Sequence, residues 1–125
     1  MKIATHFDLE VFKMAFETSM KIYEISKSFP NEEMYSMTDQ VRRSSRSVCA
    51  NISEAFRKRR YAKSFILKLS DSEAEAAETQ TWLYYALKCN YISKELFDEL
   101  LMQYNRIIGM LVTMIKHSQS WTLPT

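Results

Sequence analysis

Between Pro30 and Pro124 the chain contains one glycine, Gly109, and no proline. Glycine and proline supply most of the backbone freedom and rigidity that tight turns need. A stretch this poor in both must therefore run in long, uninterrupted elements. The apolar spacing says which kind. Val11, Ala15, Thr18, Ile22 and Ile25 recur at three- and four-residue steps, with Phe12, Phe16, Ser19 and Tyr23 as a second row beside them. That pattern predicts a helix over about 8–28 with a wide buried arc. Thr5 and Asp8 stand at the spacing of a capping-box variant at its start. Phe29-Pro30-Asn31 ends it, because a residue before proline is pushed out of the α region.

Residues 31–37 read as the one sizeable loop. Thr38 is an N-cap candidate for a second helix over about 38–59, with Asp39 favourably placed against the helix dipole. A third helix, about 61–88, repeats at Phe65, Leu69, Ser72, Ala76, Thr79 and Leu83, and its middle is rich in small residues and acids. Ser93 offers a cap for a fourth, about 94–117, carrying Phe97, Leu100, Tyr104, Ile107, Leu111 and Met114. Gly109 costs that helix about 1 kcal/mol relative to Ala, and close approach of another helix is one reason to tolerate it. The tail, 118–125, has no period and is expected to fray, Trp121 being the side chain able to dock it. Four such helices on short links predict an all-α, antiparallel up-and-down four-helix bundle.

Several function classes are argued against by what is missing. Only two histidines occur, His6 and His117, neither in the Glu-x-x-His pattern of carboxylate-bridged metal bundles. One glycine cannot build a phosphate-binding loop, and no histidine stands near the helix middles to serve a nucleophile. No metal, cofactor or catalytic role is expected. Cys49 and Cys89 form no closely spaced framework and read as reduced thiols. No apolar run approaches the roughly 20 residues needed to span a bilayer, and Asp8 and Glu10 argue against a signal peptide. A cytoplasmic protein is expected.

Charge is unevenly distributed. From Asp39 to Arg60 there are seven basic residues against two acids, a net +5 in a chain whose total is +2. On a helical projection Val41, Ser45, Val48, Ile52 and Phe56 fall within roughly 80°, while Arg42, Arg46, Arg57 and Arg60 share roughly 60° of a neighbouring flank. Two readings follow. Arg42, Arg46, Arg57, Lys58, Arg59, Arg60 and Lys63 could neutralise phosphates, for which the planar guanidinium fork is suited, with Tyr61 or Phe56 stacking on bases. Alternatively, arginines pair internally. Arg43, off the stripe, is the candidate for a polar network with Asn51, Glu54, Glu75 and Glu78.

These residues also resemble a known family. FDLEVFKMA (7–15), IYEISKSFPNEEMYSMTDQVRRSSRSVCANISEAFRKR (22–59), SDSEAEAAETQTWL (70–83) and the fourth apolar helix look like the 23S rRNA intervening-sequence proteins. The most specific part is Phe29-Pro30 followed by Glu33, Tyr35, Gln40, Arg43, Ser47, Asn51, Ile52 and Glu54. The family commonly has proline at the position of Cys49 and glycine at that of Ala55. Here neither a kink at 49 nor a sharp turn at 55 is expected. Members are often encoded within insertions in bacterial large-subunit rRNA genes. The family is similar to accessory proteins of diversity-generating retroelements, basic pentameric barrels that bind nucleic acid and a reverse transcriptase. The resemblance implies a homo-oligomer, with a pentamer favoured, and a nucleic-acid partner, RNA before DNA. A scaffold whose basic helix docks an acidic protein such as a polymerase is the alternative, and a bundle whose arginines are all internally paired is the third.

Overall fold

The computed structural model describes residues 2–124. Among them every long element is helical. The helices are α1 (Glu10–Ser26), α2 (Met37–Arg57), α3 (Ala62–Lys88), α4 (Lys94–Lys116) and a short α5 (Ser118–Trp121). Single 3-10 turns lie at His6–Asp8 and Asn31–Glu33. α1 packs on α2, α2 on α3, α3 on α4, and α4 returns to α1, so the four long helices enclose one core. Val48, Ile52, Leu69, Ala76, Leu100, Tyr104, Ile107 and Leu111 are wholly buried there. Each is a residue of an apolar row, which is why the 3.6-residue period located the elements.

The small residues in the middle of α3 have a packing reason. The Thr79 hydroxyl donates to Ser44 Oγ at 2.8 Å, and Ser72 Oγ donates to the Val48 carbonyl at 2.8 Å. Short side chains here let α2 and α3 approach closely, and the hydroxyls keep their hydrogen bonds on burial. α2 runs unbroken through Cys49 and Ala55, as expected where the family's proline and glycine are replaced.

Four local expectations are corrected. The second helix opens at Met37, and Thr38 is buried in its first turn. Glu33, reaching from the preceding 3-10 turn, accepts from the Ser36 hydroxyl at 2.6 Å and the Met37 amide at 3.4 Å instead. At the other end helix α2 stops at Arg57, so Lys58 and Arg59 belong to the turn into α3. The tail is docked over its described residues, Thr125 lying outside them: Trp121 packs against the core, and the Leu123 amide donates to the Arg59 carbonyl at 3.0 Å. The Thr5–Asp8 box closes the separate His6–Asp8 turn and not α1, whose N-cap, Leu9, has no side-chain bond, while Ser93 caps α4 as read. Asp8 accepts from the amides of Ala4 (2.8 Å) and Thr5 (3.0 Å), and Ser93 Oγ accepts from Leu96 (3.1 Å). Among the described residues no helix is long and apolar enough to cross a membrane.

Candidate nucleic-acid interface

The expected arginine stripe divides into two groups. Arg42 and Arg46 lie partway along α2, where α1 lays Tyr23 beneath them. The Arg42 guanidinium is 4.8 Å from the Tyr23 ring centroid and that of Arg46 is 5.6 Å away. Arg42 is half-buried, and its Nε donates to Ser26 Oγ at 2.8 Å. Arg46 is exposed. The second group begins about 16 Å further along the helix axis, at 1.5 Å per residue. There Arg57, Lys58 and Arg60 surround a shallow hollow of about 410 Å³ with Tyr61 and Ser64. Arg57, Lys58, Arg60 and Lys63 are all exposed, and Tyr61 stands out beside them, 62% exposed.

Arg59 differs from its neighbours. It folds back with its guanidinium 3.7 Å from the Phe56 ring centroid, and its Nε donates to the Phe56 carbonyl at 2.8 Å. Burial first, then the charge of Arg57, lowers its pKa. Phe56 is itself buried and has no face to offer a base. Five of the seven expected phosphate ligands are therefore exposed, and Arg42 and Arg59 are partly engaged within the chain. Among the described residues none of the seven lies within 4.0 Å of a carboxylate.

The polar network expected around Arg43 does not assemble. Arg43 pairs with Asp39 on its own helix at 3.9 Å, one turn away, rather than with α3. Asn51 donates to the Ser47 carbonyl (2.9 Å) and hydroxyl (3.2 Å). Glu54 pairs with Lys68 at 3.3 Å, and Glu78 accepts from the Trp82 indole at 3.2 Å. Glu75 has the nearest approach to the expected role. Burial and the neighbouring Glu78 push its carboxyl pKa up, while the Ser47 hydroxyl and the charge of Arg43 oppose this weakly. Each group found a partner nearby in sequence or on the facing rung, which costs less side-chain ordering than one shared network.

Some residues sit otherwise than the sequence reading placed them. Tyr23, placed there in a buried row, is half-buried and seats two arginines and Lys27. Phe16, from the same row, is 50% exposed. Its outlying angle on the α1 projection is the signal that separates it from Ala15 and Ser19. Gly109 is exposed, with nothing within 4 Å of where a Cβ would stand. It meets no close helix; it floors an apolar hollow of about 870 Å³ between α1 and α4, lined by Met14, Met110, Met114 and Trp121.

Four packed helices with a polycationic corner define a small helical-bundle protein, and among the described residues no cluster of His, Cys, Asp or Glu is placed to hold a metal ion. The profile of the 23S rRNA-intervening sequence proteins matches residues 7–113, and the chain belongs to that family. A solved structure from Bacteroides thetaiotaomicron, a protein of unknown function from the S23 ribosomal protein family, is similar to it. That similarity is 32% identity at a TM-score of 0.77, covering 85% of this chain and 95% of the other. No curated protein matches.

Proposed function

We propose that this chain is a non-enzymatic RNA-binding protein of the cytoplasm that acts as a homo-oligomer and grips phosphates with the corner between α2 and α3. One observation carries the reading: Arg57, Lys58 and Arg60 line one hollow there, with Lys63 exposed in the first turn of α3, and none of the four has a carboxylate partner among the described residues, in a chain of net charge only +2. Phosphate neutralisation by such cations releases counterions and supplies sequence-independent affinity. The family's tie to 23S rRNA favours RNA over DNA.

Self-association is supported by the apolar hollow over Gly109, since a mid-helix glycine that serves no contact within its own chain suits close approach by a neighbour. A pentamer is the stoichiometry that the family resemblance implies. A ring would multiply one modest patch into a strong local potential. The bundle itself is antiparallel and up-and-down in this reading. In support, Thr18 and Lys21 of α1 meet Gln103 and Glu99 of α4, and Ser44 and Val48 of α2 meet Thr79 and Ser72 of α3, each in opposing order.

Titrating labelled, structured RNA at two salt concentrations tests the function. Binding that weakens steeply with salt is expected. Absence of binding even at low ionic strength refutes it, and a protein partner retained after nuclease treatment would then identify an accessory subunit instead.

A further inference from the structure

Two hollows adjoin at the turn from α2 into α3. Arg57, Lys58 and Arg60 line the first with Tyr61 and Ser64. Arg60, Tyr61, Leu123 and Pro124 line the second, of about 370 Å³. Arg60 and Tyr61 border both, so Tyr61 stands where a cationic hollow gives way to a largely apolar one. Backbone bonds fix its place. The Tyr61 amide donates to the Lys58 carbonyl at 3.0 Å, and its carbonyl accepts at 2.9 Å from the amide of Phe65, a core residue. The tail is fixed beside it, since Trp121 packs on the core and the Leu123 amide holds the Arg59 carbonyl. Tyr61 and Leu123 are both exposed all the same. Tyr23 and Phe56 carry guanidiniums on their faces, whereas among the described residues no ring and no cation lies over Tyr61.

Three cations around one hollow suit a phosphate, whose oxygens accept charge-assisted bonds from guanidinium forks. The adjoining apolar hollow, with a bare ring at its edge, suits a flat group joined to that phosphate. A nucleotide whose base is turned out of its helix combines the two. A base inside a duplex has both faces covered by its neighbours, so a duplex brings the corner phosphates alone. We infer that the α2–α3 corner is a pocket for an unpaired nucleotide of RNA. Its base stacks on Tyr61 against Leu123 and Pro124, and its phosphate lies on Arg57, Lys58 and Arg60. A run of protein carboxylates would fill the cationic hollow and leave the apolar one empty. This inference rests on the proposed RNA binding and narrows it to unpaired RNA.

The test compares an unstructured RNA of about 12 nucleotides with a duplex of equal length, by fluorescence anisotropy on the full chain. The wild type should prefer the single strand. Tyr61→Ala should weaken single-strand binding roughly tenfold, since stacking on one ring is of that order, and leave duplex binding unchanged. Tyr61→Phe and Tyr61→Trp should retain it, and Leu123→Ala should weaken it less than Tyr61→Ala does. Circular dichroism of these surface variants keeps a folding defect from imitating the result. Equal affinity for both RNAs, or equal loss for both in Tyr61→Ala, overturns the pocket while leaving phosphate binding at the α2–α3 corner intact. Self-association that disappears in Tyr61→Ala without a change in RNA binding also overturns it, because a second copy then covers the ring. No binding to either RNA overturns both readings.

Discussion

Arg42 and Arg57 stand on one flank of one helix, yet they meet different surroundings. At Arg42, α1 supplies the Tyr23 ring and the Ser26 hydroxyl, and the guanidinium is drawn half into the protein. At Arg57 the chain leaves α2 and turns into α3. None of the hydrogen bonds among the described residues uses the side chains of Arg57, Lys58, Arg60 or Lys63. A helical projection reports which side chains share a face; it is silent on what another element lays across that face. The same residue type is thus partly structural at one end and available to a polyanion at the other. Substitutions that separate stability from RNA affinity can break or sharpen this contrast.

The largest effect is expected at the open end. Replacing Arg57, Lys58 and Arg60 together by alanine should lower RNA affinity about 100-fold at low salt and flatten its salt dependence by about two in the log–log slope. Stability in urea should change by less than about 1 kcal/mol, because these are surface groups without partners. A large drop in the unfolding midpoint would show that the corner is structural after all. Next in size is Tyr23→Ala. It removes a half-buried ring and the seat of two guanidiniums, and should cost about 2 kcal/mol in equilibrium unfolding. RNA affinity should persist, since Arg42 and Arg46 keep their charges. Tyr23→Phe retains the ring face and should be close to neutral.

How much of this was legible in the sequence depends on the range of the interaction. The long helices were, because Val48, Ile52, Leu100 and Tyr104 repeat at helical spacing and the core sits on that repeat. Ser93 was legible as a cap because its bond to Leu96 spans three residues. The cap of α2 was misread because Glu33 does that work from the preceding turn, while Thr38 matched the usual cap chemistry. Trp121 was legible as the side chain able to dock the tail, but the Leu123–Arg59 bond was hidden, since it joins residues far apart in the chain. For the site, composition located the cations. Whether each was seated or free depended on Tyr23, Ser26 and Phe56, which sequence reading had placed in apolar rows or left unremarked.

Acid should loosen the Arg42 end before the Arg57 end. Glu33 accepts from Ser36, from the Tyr91 hydroxyl at 2.8 Å and from the Met37 amide, and so ties the start of α2 to the α3–α4 turn. These bonds, that from Ser36 foremost, hold its carboxyl below the ordinary glutamate range, and the Tyr91 hydroxyl is pushed up to about 12, chiefly by the same bond. A folded-state pKa below the unfolded one means stability that is present above the unfolded value of about 4.3 and lost as pH falls through the folded value. Hydrogen exchange at Met37–Gln40 should therefore rise on acidification before that around Phe56 does. Tyr91→Phe should remove part of the difference. Equal loss of protection at both ends would mean that Glu33 does not fasten this one.

The smallest effect is expected at Arg43, and it bears on the contrast because Arg43 is the immediate neighbour of Arg42. A backbone step of one residue turns the side chain about 100° around the helix. That rotation takes it away from Tyr23 and Ser26 and leaves it exposed. Its one ion pair, with Asp39 at 3.9 Å, joins two solvated side chains one turn apart. Such pairs are screened by water and typically contribute about 0.3–0.5 kcal/mol. Arg43→Ala should thus cost at most about 0.5 kcal/mol, against about 1 kcal/mol for Arg42→Ala, which loses a ring contact and a hydrogen bond to a buried hydroxyl. If Arg43→Ala proves the more damaging, the carboxylates of α3 hold Arg43 in solution after all. The network with Glu75 and Glu78 would then replace the single pair described here, and neighbouring arginines on α2 would have exchanged roles.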